Sequence, residues 1–335
     1  MLKIGNHKIG KNEPVFIIAE PGINHLGNIR LAKKLISSAA KCGANAIKFQ
    51  TIFPEEVYSK KIEPEIFHLL KKSQLTKKQW IELKNYAKRM KIEFFSTPAG
   101  EKSLKLLKEI GVPCIKIGSG ELNKISLIKN TAKLGKPMII STGMSTPSEI
   151  SSIVKIVKKE KCPYILLHCN SCYPSPIHDA NLSTINFLEK KFKVNVGYSD
   201  HTVGISACLA AVALGACVIE KHFILDKSAW KIESKLSSNP GEFSTMVHHI
   251  RTIEKALGSP RSGITNSEKN SRKSMRYSVA AALDIKSGTK INRSMLTILR
   301  PGTGISPSEI NNLIGLKINK NVKEGNLLRW NMFDR

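Results

Sequence analysis

Eight short apolar runs, each followed by a stretch of helical periodicity, constrain this chain more than any other feature. They are Val15–Glu20, Ala46–Gln50, Ile92–Ser96, Pro113–Ile117, Pro137–Ser141, Tyr164–His168, Val194–Tyr198 and Cys217–His222. Between them lie amphipathic segments such as Arg30–Lys41, Lys77–Met90 and Ser206–Leu214. Strands alternating with helices imply βαβ units and a parallel sheet. Gly43, Gly111, Gly135 and Gly215 precede strands closely, where a left-handed residue closes a helix. Thr146-Pro147-Ser148-Glu149 and Thr76-x-x-Gln79 read as capped helix starts. Eight such units predict an α/β chain with a (β/α)8 TIM barrel over residues 15–258; an open doubly wound sheet is the alternative. Residues 1–14 read as a hairpin plugging the barrel's bottom, and 53–75 as an insertion with a helix of its own. Residues 259–273 read as a polar linker, and 274–335 as a small, mostly β domain. At roughly 60 residues such a domain is marginal alone, so it is expected to dock on something.

Composition narrows the function classes. Of the 335 residues, 41% are hydrophobic, which excludes a wholly disordered chain. No apolar run reaches the roughly 18 residues of a membrane span, and the N-terminal stretch lacks a signal peptide's apolar core. The seven cysteines form no paired zinc pattern, since Cys169-x-x-Cys172 has no second pair, so a reduced cytoplasm is expected. The net charge of +27 fits nucleic acid, an anionic membrane surface or an anionic small substrate. Lys, Ile and Asn are abundant throughout, however, and no RNA-binding or zinc-finger signature is present. Neither nucleic acid nor membrane is therefore expected as a partner. No glycine-rich dinucleotide fingerprint or P-loop occurs.

In a TIM barrel the active site lies at the C-terminal ends of the strands. There the eight runs carry, in order, Glu20 with Asn24 and His25; Lys48 and Gln50; Ser96 and Thr97; Lys116 leading to Ser119 and Glu121; Thr142; His168, Asn170, Ser171 and Tyr173; Ser199, Asp200 and His201; and Glu220, Lys221 and His222. One such residue is ordinarily structural, whereas eight at one end are not. His201 and His222 could share a divalent metal with positions left for water and substrate. Alternatively His201 caps the next helix and His222 packs in the barrel mouth. Lys48 and Lys116 need anions if buried. A phosphate or carboxylate ligand would serve, helped by Thr97, Ser119 and Ser199. So would an ion pair with Glu20 or Glu121, and a Schiff-base lysine is a further possibility.

These residues sit in motifs that resemble the N-acetylneuraminate (sialic acid) synthase family. The motifs are Ile18-Ala19-Glu20-Pro21-Gly22-Ile23-Asn24-His25, Ile47-Lys48-Phe49-Gln50, Phe95-Ser96-Thr97-Pro98 and Ile115-Lys116-Ile117-Gly118-Ser119-Gly120-Glu121. They continue through Ser141-Thr142-Gly143-Met144, His168-Cys169-Asn170-Ser171-Cys172-Tyr173-Pro174, Gly197-Tyr198-Ser199-Asp200-His201-Thr202 and Glu220-Lys221-His222-Phe223. Arg300-Pro301-Gly302-Thr303-Gly304-Ile305 looks like that family's antifreeze-like SAF domain.

The resemblance implies condensation of phosphoenolpyruvate with N-acetylmannosamine or a related acetamido hexose and water, giving a nonulosonic acid and phosphate. It implies a divalent metal on His201 and His222, Mn²⁺ foremost, with Mg²⁺ or Co²⁺ as alternatives. It casts Lys48, Thr97, Lys116, Ser119, Tyr173 and Ser199 as phosphoenolpyruvate contacts, and Glu20 and Gln50 as sugar contacts. Glu20 doubles as a proton-transfer group, and Glu121 matches the active-site glutamate. Arg300 matches an arginine that enters the partner's barrel in a domain-swapped homodimer. Ser171 stands where many members have Asn, and Glu233 where a sugar-binding aspartate is expected, so a changed sugar is the main alternative. Legionaminic or pseudaminic acid synthases, which take diacetamido-dideoxy hexoses, are that alternative, and a Schiff-base aldolase is a more distant one.

Overall fold

The computed structural model describes residues 2–228 and 233–334 and falls into two units, Met1–Gly258 and Ser259–Arg335. The first unit opens with an antiparallel hairpin, β1 (Leu2–Ile4) and β2 (His7–Ile9). Ile4 and Ile9 are fully buried, each contributing roughly 1.5–3 kcal/mol. The Asn6 N–H donates to Glu93, the first residue of a barrel strand, so the hairpin lies at the barrel's N-terminal end.

Eight parallel strands then close on themselves: β3 (Phe16–Gly22), β4 (Ala46–Thr51), β5 (Glu93–Pro98), β6 (Ile115–Ile117), β7 (Met138–Ser141), β8 (Tyr164–Cys169), β9 (Val196–Asp200) and β10 (Val218–His222). Nearly every strand residue is buried, because the barrel interior takes one face and the helices the other. Closure sets β10 beside β3 in the register Val218↔Phe16 through His222↔Glu20. The doubly wound alternative is thereby replaced by a closed barrel.

The connecting helices are α1 (Ile29–Lys41), α2 (Pro64–Lys72), α3 (Lys77–Arg89), α4 (Glu101–Ile110), α5 (Ile125–Ala132), α6 (Pro147–Lys159), α7 (Thr184–Phe192), α8 (Ser206–Ala213) and α9 (Pro240–Leu257). In α1, Ala32, Leu35, Ile36 and Ala39 recur at helical spacing and are the buried stripe. Thr76 with Gln79 and Thr146 with Glu149 form the capping boxes read from sequence. Gly111 ends α4 at φ +70°, a left-handed position that disfavours a side chain. Residues 53–75 hold a short 3₁₀ turn, Pro54–Glu56, and α2.

The second unit has α10 (Glu268–Met275), the antiparallel pair β11 (Ser278–Ala281) and β12 (Leu296–Leu299), and the short α11 (Ile310–Leu313). Its own core gathers Val279, Ile285, Ile291, Leu296, Leu313, Ile318 and Phe333. The stretch 259–273, read as a linker, is helical from Glu268 onward. The Glu268 carboxylate accepts from the Thr265 N–H at 2.9 Å and the Thr265 hydroxyl at 2.8 Å, which closes the first turn. A helix this polar carries no apolar period, so the sequence pattern gave no sign of it. Among the described residues, no helix is long and apolar enough to cross a membrane.

Candidate active site

Period-two alternation decides which strand-end residues face the barrel axis. Glu20, Lys48, Gln50, Thr97, Lys116, Ser199, Glu220 and His222 line one cavity of about 410 Å³. Loop residues Ser119, Glu121, Ser171, Tyr173, His201 and Glu233 complete its wall. Fourteen side chains thus meet, of which sequence reasoning had assigned a role to all but Glu220.

The two lysines are buried, so their partners matter. Lys48 forms an ion pair with Glu20, donates to Thr97 Oγ1 at 3.1 Å and lies 4.0 Å from Glu220 Oε1. Burial works against its charge, but the Glu20 and Glu220 carboxylates outweigh that and hold its pKa above the ordinary lysine value. Lys116 donates to Ser141 Oγ at 2.6 Å and to the Ile117 carbonyl at 3.1 Å, with Glu220 Oε1 at 3.9 Å. Burial pulls its pKa down, and Glu220 offsets that only in part. Glu20 is pushed up by burial despite Lys48. In Glu220 the two lysines overcome burial and keep the carboxylate below its usual range. Ser199 Oγ donates to Glu220 Oε1 at 3.0 Å, while Oε2 is buried without a hydrogen-bond partner. Gln50 Nε2 donates to Glu20 Oε1 at 3.2 Å.

The rings of His201 and His222 lie 5.2 Å apart, centroid to centroid. Tyr173 packs against both, at 4.2 and 5.9 Å. His201 Nδ1 donates to the Asn170 carbonyl at 2.5 Å, which leaves Nε2 as the free nitrogen. His201 therefore does not cap α8, whose start has no side-chain cap. His222 Nδ1 lies 3.2 Å from Glu233 Oε2, close enough for an ion pair but without hydrogen-bond alignment. Burial opposes a charge on His222, yet Glu233 and Glu20 prevail and raise its pKa. The same negative field favours any cation placed there.

Among the described residues, no cluster of three or more His, Cys, Asp or Glu has ligand geometry. The donor set is two imidazoles beside a carboxylate. It fits a divalent ion that keeps several positions for water and substrate, as a Lewis-acid site requires.

Several candidates from the strand ends fall outside the cavity. Asp200 and Lys221 point outward and form a fully buried ion pair at 2.7 Å between barrel and helices. Ser96 bonds the Phe49 carbonyl, Thr142 the Leu167 carbonyl, and His168 Nε2 lies 2.6 Å from the Ala180 carbonyl. Asn24 Nδ2 donates to the Phe223 carbonyl, and His25 packs edge-on against Phe49 and Trp80. Arg300 belongs to the second unit, where its guanidinium stands 4.9 Å over the Tyr277 ring. Trp230, Lys231 and Ile232, part of the departing sugar-side stretch, lie outside the described residues.

Residues 35–262 match the NeuB family, and 276–334 the SAF domain. The chain belongs to the NeuB family. Two relatives and one solved structure indicate its breadth. It is 40% identical to the N,N'-diacetyllegionaminic acid synthase of Campylobacter jejuni, covering 93% of this chain and 98% of that protein. It is 36% identical to the N-acetylneuraminate-9-phosphate synthase of Mus musculus, over 94% and 92%. The crystal structure of N-acetylneuraminic acid synthetase from Leptospira borgpetersenii, in complex with citrate, aligns at 42% identity with TM-score 0.77, over 81% and 94%. Within this NeuB chain Glu220 is placed at the active-site end by the sequence but given no role there. Its signal was available, because Glu220 and His222 share a face of β10 while Lys221 takes the other.

Proposed function

We propose that this chain condenses phosphoenolpyruvate with N-acetylmannosamine or a related acetamido hexose and water, giving a nonulosonic acid and phosphate. The reading is carried by one cavity that holds two buried lysines, two neighbouring imidazoles and the Glu20 and Glu121 carboxylates. Phosphoenolpyruvate is a multiply charged anion. It takes Lys48, Lys116, Thr97, Ser119, Ser171, Tyr173 and Ser199 as its contacts, and Glu20 yields its hold on Lys48 as the anion arrives. Glu20, Gln50 and Glu233 are then free to bind sugar hydroxyls and amide groups.

C3 of phosphoenolpyruvate bonds to the sugar's aldehyde carbon, whose oxygen takes up a proton. Water adds at C2, and the C2–O bond to phosphorus breaks, so phosphate leaves. Glu20 and Glu121 hold and move the protons. His201 and His222 would hold a divalent ion, with Mn²⁺ ahead of Mg²⁺ and Co²⁺. Such an ion supplies Lewis-acid polarisation of the aldehyde. Rigid strand ends keep both reactants in line.

The same reading makes the active species a domain-swapped homodimer, in which Arg300 enters the barrel mouth of a second copy. Arg300 is exposed and stacked on Tyr277, so its guanidinium is available. Seven free cysteines fit the reduced cytoplasm.

The test incubates purified protein with phosphoenolpyruvate, Mn²⁺ and a panel running from N-acetylmannosamine to 2,4-diacetamido-dideoxy hexoses. Phosphate release that needs both a hexosamine and the metal is expected. Pyruvate trapped on Lys116 by borohydride, with no phosphate released, would replace this reading by a Schiff-base aldolase, which a low-pKa lysine also suits.

A further inference from the structure

One part of the cavity wall has no role in the chemistry above. Between β4 and α3, Val57, Tyr58, Ile66, Leu69 and Leu70 line the cavity, and apart from the Tyr58 hydroxyl that side is apolar. A carboxylate clamp ties its leading edge to the start of α4. Helix α4 starts after Gly100, which has no side chain to accept the first N–H groups. Glu56 supplies that acceptor from outside the helix. Its Oε1 accepts from the Lys102 N–H at 2.5 Å, and its Oε2 from the Ser103 N–H at 3.2 Å and the Ser103 hydroxyl at 2.8 Å. The helix dipole favours a carboxylate at this end. Lys124 clasps the backbone of the same residue, donating to the Glu56 carbonyl at 3.2 Å and the Ala99 carbonyl at 2.7 Å. Gly100 makes room for the carboxylate, since a Cβ there would lie 2.6 Å from Glu56 Cδ and Oε1.

We propose that Glu56 is a positioning residue that fixes Val57 and Tyr58 as an apolar subsite for the sugar, facing its acetamido methyl and any deoxygenated carbon. This rests on the reading that phosphoenolpyruvate and a sugar meet in the cavity. Charge assigns the two substrates. The anion goes to the ammonium groups of Lys48 and Lys116, whereas Val57, 38% exposed at the rim, offers only apolar surface. A neutral sugar above the anion is what an apolar rim suits, because an anion there would lose hydration without compensation.

The experiment measures steady-state kinetics with N-acetylmannosamine and with a diacetamido-dideoxy hexose, and phosphoenolpyruvate binding by calorimetry. The variants are Glu56→Gln, Gly100→Ala and Tyr58→Ala. The first two break the clamp from opposite sides; the third removes wall surface and leaves the clamp intact. All three are expected to raise the sugar KM about 10-fold and to keep the phosphoenolpyruvate Kd within about 2-fold of the parent, where tenfold is one decade of affinity. Unchanged anion binding also certifies that each variant is folded. A sugar KM near the parent's in the clamp variants, or anion Kd rising in step with it, overturns the proposal. A parent that releases no phosphate with any hexosamine overturns the underlying reading as well. A working parent with indifferent variants overturns this inference alone.

Discussion

Lys116 Nζ lies 3.9 Å from Glu220 Oε1, and both groups are buried at the floor of the cavity. Glu220 is the carboxylate nearest Lys116, and it is shared with Lys48 at 4.0 Å. Its charge decides how much of the Lys116 ammonium survives burial.

Glu220→Gln keeps the shape and the acceptor for Ser199 but removes that charge. The pKa of Lys116, already lowered by burial, should fall further. Phosphoenolpyruvate affinity, measured against pH, should lose its alkaline limb at lower pH than in the parent. A fall in kcat/KM of about 10²-fold is expected, comparable to losing one electrostatic contact in a closed site. An alkaline limb that stays in place would show that Lys116 does not depend on Glu220.

Asp200 and Lys221 are expected to govern stability rather than chemistry. Either Asp200→Asn or Lys221→Met leaves one buried group without its partner at 2.7 Å. Each should cost about 3–5 kcal/mol in urea unfolding, the usual penalty for half of a buried pair. The double replacement should recover part of this, because neither charge is then stranded. Single variants within about 1 kcal/mol of the parent would contradict the assignment.

His25 should impose an acid limit on the fold. Burial holds it neutral, with its pKa pulled down from 6.5 to about 4. Gly27 N–H donates to its Nδ1 at 3.1 Å, and Nε2 is buried without a partner. The unfolded chain takes a proton below 6.5 while the folded one does not until about 4. Stability should therefore fall with pH across that window, by up to about 1.4 kcal/mol per pH unit from this group. His25→Asn keeps the acceptor for Gly27 and should flatten the slope. A thermal midpoint that tracks pH identically in parent and variant would exclude the effect.

Metal loading should depend on both imidazoles. The parent should bind one Mn²⁺ per chain by electron paramagnetic resonance, and His201→Ala or His222→Ala should weaken that by at least about 100-fold, as loss of half the protein nitrogen donors implies. Treatment with a chelator should abolish phosphate release, and added Mn²⁺ should restore it. Undiminished Mn²⁺ binding in both variants would remove the two-histidine site.

Most of the barrel was legible because its period is local. Strand edges, capping boxes at Thr76 and Thr146 and the helix-closing Gly111 are each written within a few residues. The face of each side chain was equally legible wherever alternation was applied strictly. VIEKH puts Glu220 and His222 together and Lys221 opposite, and YSDH separates Ser199 and His201 from Asp200. Partner identity was not local. Lys48 meets Glu20 across adjacent strands, but the carboxylate it shares with Lys116 comes from β10, and only the ring's register brings that strand alongside. Glu56 was invisible for a related reason, since its partners at Lys102 and Ser103 lie far along the chain. Helix α10 was missed because its start is held by polar contacts rather than by an apolar stripe.

The pairing of His222 with Glu20 joins the last stave to the first. A chain still emerging from the ribosome cannot make that pairing until residue 222 has cleared the exit tunnel. Fragments that end between residues 48 and 222 carry Glu20 and Lys48 but lack the seam that encloses them. The enclosed cavity therefore takes shape only when the last stave is added, so a half-made barrel presents strand ends without a closed ring around them.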